Sequence, residues 1–328
     1  MKLLITGGAG YIGSHTAHLL TDAGHDLTII DNLSSGHIWA LPPNAKFIQG
    51  DISDTAVLST ALASGRFDAL LHFAANIEVG ESVSNPTKYY LNNTFASLQL
   101  FNSCIKAGIQ KIIFSSTAAV YGNIDGSLSI DENSPVSPLS PYGRSKLMTE
   151  QILTDLAQAS DNLKFVILRY FNVAGAKADL SIGQATPRAT HLIKAAAEAA
   201  IGKRQSIYIY GDNYATPDGT CMRDYIHVDD LAGAHLNSLD YIFGDNPSGV
   251  FNIGYGQPYS VREVLETMRQ VSKVDFDIQV AQRRLGDPAS ISANSMKAKT
   301  ILGWKPRHND LKFICETALK WEKKLSRM

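Results

Sequence analysis

Tyr142 and Lys146 stand four residues apart, just after Ser140 and Pro141, in the segment SPYGRSK (140–146). Ser followed by Pro is a helix-start signal, because Ser caps free N–H groups and Pro tolerates the first helical position. Positions i and i+4 share one face of a helix, so the phenol and the ammonium point the same way. A nearby ammonium favours phenolate, and a tyrosine acidified in this way serves as a general acid or base near neutral pH. On spacing alone an ordinary amphipathic helix with an exposed lysine is the commoner source of so short a pattern, so the rest of the chain must decide. Upstream, SSTAAVYG (115–122) follows an apolar run, and its Thr117 offers a hydroxyl that could hydrogen-bond a reacting oxygen.

A second constellation lies at the start. TGGAGYIGSH (6–15) follows an apolar run and opens an amphipathic stretch, with Gly7, Gly10 and Gly13 in G-x-x-G-x-x-G spacing around Tyr11 and Ile12. Glycines permit the tight turn and the close approach of backbone to a pyrophosphate, and the helix N-terminus offers N–H groups to phosphates. The next apolar run ends in Asp31, followed by Asn32. A carboxylate there accepts hydrogen bonds from adenosine ribose hydroxyls and repels a 2′-phosphate, which favours NAD over NADP. Asp51 and Ile52 follow the third run, where an adenine pocket would close, although Asp51 equally suits a helix cap.

These residues need a frame. Strands are expected at 2–6, 27–31, 46–50, 69–73, 111–115 and 164–170, with helices near 12–23, 54–64, 86–107 and 142–159 between them. Continuous apolar strands alternating with helices predict an α/β fold, a doubly wound parallel Rossmann-type sheet. After Asn172 the rhythm changes: a loop over 174–190, a helix near 190–201, a turn-rich loop over 211–220, strands at 225–228 and 250–254 with a helix between, and closing helices near 260–272 and 309–324. A cofactor domain over 1–171 and a smaller α/β substrate domain over 172–328 are expected, with chain crossings at a soft boundary.

The chain has 328 residues, 45% hydrophobic and 19% charged, as a well-packed globule requires. A formal net charge of −1 gives no reason to expect a nucleic acid or a membrane surface as partner. Cys104, Cys221 and Cys315 are odd in number and far apart, so neither a disulfide framework nor a metal site is expected. The opening MKLLITGGAG is wrong for a signal peptide, and a cytoplasmic location is the expectation.

Taken together, the glycine loop, Thr117, Tyr142 and Lys146 resemble the extended short-chain dehydrogenase/reductase superfamily in order and spacing. The resemblance implies that Lys146 binds the nicotinamide ribose and holds Tyr142 acidic while hydride moves between a substrate carbon and the cofactor. Dehydratases of this superfamily need an Asp-Glu pair directly after the Thr, and Ala118 and Ala119 stand there instead. The site resembles one for reversible oxidation alone, which is what inversion at a sugar C4 needs. HDLTIIDNLS, HFAANIEVGES, YYLNN, LRYFNVAGA, DGTCMRDYIHVDDLA and RRLGDPA extend the likeness, over nearly the whole chain, to the UDP-hexose 4-epimerases. This implies interconversion of UDP-galactose and UDP-glucose on tightly held NAD, with another UDP-sugar (N-acetylhexosamine, uronic acid or pentose) as the alternative and a non-catalytic NAD sensor as a remote one. Position by position, Phe73, Asn92 and Ser115 would contact cofactor and Tyr170 would lie near the nicotinamide. Asn172, Arg223 and Arg284 would hold the UDP phosphates, a task that suits a guanidinium fork, and Asp287 the uridine ribose. His191, Tyr121 and Tyr225 are expected to pack rather than to react. Two departures stand out: Ile77 replaces a lysine of some members, and Ser290 or Ile291 stands near a bulky aromatic associated with excluding N-acetyl sugars. A homodimer built on the helices near 86–107 and 142–159 is also implied.

Overall fold

The computed structural model describes residues 1–122, 129–187, 189–284 and 287–328. Leu285 and Gly286 of the RRLGDPA segment therefore lie outside the described residues. The strands are β1 (Lys2–Thr6), β2 (Asp26–Asp31), β3 (Lys46–Gln49), β4 (Ala69–His72), β5 (Lys111–Ser115), β6 (Lys164–Tyr170), β7 (Asn172–Ala174), β8 (Ser206–Tyr210), β9 (Met222–His227), β10 (Gly249–Ile253), β11 (Pro258–Ser260), β12 (Asp277–Ala281) and β13 (Ser290–Ile291). The helices are α1 (Tyr11–Asp22), α2 (Thr55–Ala63), α3 (Val79–Ser84), α4 (Pro86–Tyr89), α5 (Ala96–Lys106), α6 (Pro141–Gln158), α7 (Leu192–Ala200), α8 (Val228–Phe243), α9 (Val261–Ser272), α10 (Met296–Ile301) and α11 (Leu311–Leu325).

Seven strands form the main sheet in the order β10-β6-β5-β4-β1-β2-β3. Neighbours from β3 through β6 pair in parallel. β1, β4 and β5 are almost wholly buried, as strands covered on both faces must be. This is the expected Rossmann-type fold. The strand order reverses between β1 and β4, and in open α/β sheets ligands bind beyond the carboxyl strand ends at that switch point. Gly7, Phe73 and Ala74 lie there. Leu4, Ile30, Leu70, Ile112 and Phe114 join Leu100 and Phe101 of α5 in one core cluster.

The chain divides into two compact units. Met1–Gly122, Val136–Arg169 and Ala232–Phe251 make the first; Tyr170–Leu231 and Asn252–Met328, with a stretch ending at Pro135, make the second. In the second, β7 pairs with β9, which lies between β11 and β13, and β8 pairs with β12. The strands β7, β11 and β13, of two or three residues, carry too few positions for a periodic signal; β8 and β12, of five residues each, are not among the expected strands.

The helix expected over 86–107 is interrupted. Between α4 and α5 runs a π-helical turn, Tyr90–Phe95. At that turn the Asn93 carbonyl accepts the hydroxyls of Ser97 at 2.6 Å and of Thr149, on α6, at 2.9 Å, and side-chain donors inserted into the helical ladder distort it. Among the described residues no helix is long and apolar enough to cross a membrane.

Candidate active site

The cofactor end is built first by the glycine loop. Gly7 has φ +74°, and a Cβ there would stand 2.5 Å from the Ala74 amide nitrogen. Gly10 is the N-cap of α1 and has no side chain to cap it, so the first-turn N–H groups are left for a ligand. Gly13, Tyr11 and Ile12 form that first turn. Asp31 is buried and accepts from Ala9 N at 2.9 Å and Leu33 N at 2.8 Å, so it also shapes the loop. Two of its roughly four lone-pair directions are used, which leaves capacity for hydroxyl donors. Asn32 donates to Asp51 at 2.7 Å. Burial works to raise the Asp51 carboxyl, but hydrogen bonds from Ser53 and Asn32 outweigh it and hold it below the usual range. The Ile52 side chain is packed in the core cluster, so only its backbone could serve a ligand. The loop is a cradle that a Cβ would fill, at a helix N-terminus beside an acidic strand end, and it fits NAD.

The reacting end lies where β5 stops. Three consecutive residues there each hold one residue of α6. The Ser115 carbonyl accepts from Lys146 Nζ at 2.8 Å. The Ser116 hydroxyl donates to Glu150. Thr117 sets its hydroxyl beside the Tyr142 phenol, where it favours the ionised form. Tyr142, Lys146 and Glu150 are spaced i, i+4 and i+8, one stripe of the helix. Ser140 caps that helix by accepting from Gly143 N at 3.1 Å, with Pro141 in its first turn. Tyr142 and Lys146 are thus aligned as the spacing requires, but neither is exposed: they are 7% and 2% accessible.

Their electrostatics differ from the sequence expectation. Burial pushes the Tyr142 phenol up, and the Thr117 hydroxyl offsets this only in part. Lys146 is itself pushed down to about 7 by burial, against the charge of Glu150, so burial opposes the charged form of both groups. His72, pushed down to about 3 by burial and then by Lys146, is neutral and bridges Thr6 Oγ1 at 2.6 Å and Ser97 Oγ at 2.8 Å.

The other cofactor candidates fall as follows. The Ser115 side chain is turned to His235, Oγ to Nε2 2.8 Å, and the His235 ring lies 4.7 Å from that of Phe73. Asn92 sits half-buried in the π-helical turn. In the second unit, half-buried Tyr170 ends β6 and Asn172 is exposed at the start of β7. Arg223, on β9, donates to the Met222 and Pro288 carbonyls at 2.8 Å each and lies 3.5 Å from Asp287 Oδ1. Its partner is therefore Asp287 and not Asp224, which is buried and accepts from the amides of Tyr255, Gly256 and Ala293. The exposed Arg284 guanidinium lies 3.7 Å over the Tyr210 ring. His191 faces Gln184 at 3.1 Å, and Tyr121 accepts from Arg169 at 3.1 Å.

Several residues escaped the sequence reading. Gly143 lets α6 approach the turn after Thr117, since a Cβ there would stand 2.6 Å from the Ala119 carbonyl oxygen. Ser116, Glu150, Arg169 and His235 have no motif spacing of their own; they become visible only once strand ends and helix face meet. His227, Asp229 and His308 bring metal-type side chains together. Asp229 N donates to His227 Nδ1 at 3.1 Å, and Nε2 faces Thr317 Oγ1 at 3.3 Å. Both ring nitrogens thus have protein partners, and the group reads as structural.

Residues 3–254 match the model of the NAD dependent epimerase/dehydratase family, and the chain belongs to that family. Among its relatives, the UDP-glucose 4-epimerase of Azospirillum brasilense is 50% identical over 99% of this chain and 92% of its own. A structure of the UDP-Glc/GlcNAc 4-epimerase of Campylobacter jejuni is 48% identical, with TM-score 0.87 over 98% of this chain and 99% of that one. UDP-glucose 4-epimerase from Bifidobacterium longum, solved with NAD+ and UDP, is 37% identical, with TM-score 0.93 over 99% and 98%.

Proposed function

We propose that this chain is an NAD-dependent isomerase that interconverts UDP-galactose and UDP-glucose by inverting C4. The observation that carries the reading is the buried Tyr142 phenol beside the Thr117 hydroxyl beyond β5, with Lys146 Nζ held by the Ser115 carbonyl and with Ala118 and Ala119 following Thr117. A phenol and a hydroxyl are placed to grip one reacting oxygen, and no acid stands where elimination would need one. Bound NAD supplies the hydride acceptor and the returning hydride. Tyr142, reacting as a phenolate that the positive charge of bound NAD would favour, takes the C4 hydroxyl proton and as the phenol gives it back; Thr117 holds the same oxygen, and Lys146 keeps donors beyond the one given to Ser115 for a ribose hydroxyl. Gly7, Gly10, Gly13, Asp31 and Asp51 hold the dinucleotide, with Phe73 and Asn92 at its nicotinamide end. In the second unit, Arg223, Arg284 and Asn172 serve the diphosphate and Asp287 the uridine ribose. The relatives named for this activity support the reading.

The test is purified protein with UDP-galactose and no added NAD, followed by proton NMR of the sugar signals. Conversion to UDP-glucose is expected; its absence even after NAD is added overturns the reading. The same assay on UDP-N-acetylglucosamine addresses a second reading. It is favoured by the C. jejuni relative's named sugars and by Ser290 and Ile291 near the aromatic position, both smaller than an aromatic side chain; the buried Ser290 hydroxyl has no hydrogen-bond partner among the described residues.

We also propose a homodimer in the cytoplasm. Val79 and Val83 of α3, Leu91 and Phe95 of the π-helical turn and Met148 of α6 are exposed apolar side chains, Val83 at 66%, on elements that pack together in the first unit. A contiguous apolar patch marks an interface. Light scattering is expected to give twice the 35.6 kDa chain mass for the parent chain and the single-chain mass for Leu91→Asp/Phe95→Asp. A monomeric parent chain refutes this.

A further inference from the structure

Glu150 lies one turn beyond Lys146, is 3% accessible and accepts four hydrogen bonds. Arg169 Nε donates to both carboxylate oxygens at 3.1 Å, and a terminal nitrogen donates to Oε2 at 2.6 Å. Ser116 Oγ donates to Oε1. Both charged side chains are buried, at 8% and 4% accessibility. A buried ion pair carries a desolvation cost that an apolar pair of equal volume avoids, so stability alone is a weak reason for this one.

Its connections suggest a better reason. Arg169 ends the first unit's stretch of β6, whose Leu168 carbonyl accepts from Ser116 N at 2.9 Å. Its other terminal nitrogen donates to Tyr121 OH at 3.1 Å, and its guanidinium lies 4.9 Å from the Tyr121 ring. Tyr121 closes the short turn Ala118–Val120 that Thr117 caps. The pair therefore ties together the helix bearing Tyr142 and Lys146, the strand end bearing Ser115 and Ser116, and the turn bearing Thr117. A bidentate fork fixes angle as well as distance.

We propose that Glu150, clamped by Arg169 and Ser116, is a positioning residue that sets the phenol of Tyr142 and the ammonium of Lys146 against Thr117. This rests on the C4-epimerase reading and deepens it. The titratable groups facing Lys146 are Glu150 and Tyr142 on its own helix, His72 on β4 and, behind Glu150, Arg169 on β6. Of these, Glu150 supports the charge of Lys146; its removal lets Lys146 lose its proton at lower pH.

The test is the kcat–pH profile of Glu150→Gln, Ser116→Ala and Glu150→Gln/Arg169→Met beside the parent chain and Tyr142→Phe, with Tm measured for each. Glu150→Gln should lower kcat about ten- to hundred-fold with little change in KM, as small misplacements of reacting groups do. Its alkaline limb should move down by about one pH unit. Ser116→Ala should show a smaller loss of the same kind. The double variant removes both buried charges, so it carries the test if Glu150→Gln does not fold, and it should remain slow. Variants whose kcat and pH profile stay at parent values, whatever their Tm, overturn the proposal. A parent chain that does not epimerise overturns the functional reading instead, and Tyr142→Phe as active as the parent does the same.

Discussion

Tyr142→Phe is expected to lower kcat for UDP-galactose epimerisation by roughly 10²- to 10⁴-fold, the usual contribution of a positioned acid–base group, with KM changed far less. The substitution deletes one oxygen from a ring that is 7% accessible and meets Tyr89 edge-on at 6.5 Å. Ring packing survives, so Tm should shift little. The Thr117 oxygen still accepts from Ala119 N at 3.1 Å, so its place at the turn is kept. Bound NAD should be retained, because the glycine loop is untouched. The check is NMR of the sugar signals over long incubations, with NAD content measured after acid release. A variant within tenfold of the parent chain would remove Tyr142 from the chemistry and leave Thr117 or water to move the proton.

That Tyr142 can be singled out from sequence at all follows from its spacing. Ser140-Pro141 marks a helix start and Lys146 sits one turn on, so the helix and its reactive face are both local properties. The glycine loop is legible for the same reason: strand, turn and helix are contiguous. Arg169 is different. It lies within an apolar strand, and its partner Glu150 lies on a helix nineteen residues earlier; only the adjacency of β5 and β6 brings them together. His235 reaches Ser115 across 120 positions, because α8 from Ala232 onward belongs with the first unit. Periodicity carries no information about such pairings.

The charge state of the site was equally hidden. Residue types alone put an ammonium beside a phenol and so expected an acidic tyrosine. Burial changes the sign of that argument, because it disfavours both charged forms. Lys146 donates a hydrogen bond to the Ser115 carbonyl and lies 4.7 Å from the Phe114 ring centre, neutral partners that hold it in place and favour its ammonium form without supplying a counter-charge. Glu150 is the counter-charge that resists the loss, so a carboxylate outside the recognised pattern governs a member of that pattern.

Gly7→Ala is expected to abolish retention of NAD through purification and, with it, turnover in the absence of added cofactor. Two independent penalties meet at this position. The backbone stands at φ +74°, where a non-glycine residue costs about 1–3 kcal/mol. The new Cβ would also stand 2.5 Å from Ala74 N, 2.8 Å from Ala74 Cα and 2.9 Å from the Phe73 carbonyl carbon. These are backbone atoms, so no rotamer change relieves the clash; either the loop leaves β4 or the residues after β4 leave the loop. Both movements open the switch point where the pyrophosphate is to lie, and the second also carries Phe73 away from His235. Gly24→Ala separates the two penalties. Gly24 has φ +83° with nothing within 4 Å of its Cβ position, so it pays the strain without the clash and should keep its NAD. Acid release and chromatography of the cofactor from both variants would measure the difference. Stoichiometric NAD in Gly7→Ala would mean that the close approach of the glycine loop to β4 does not shape the cofactor site.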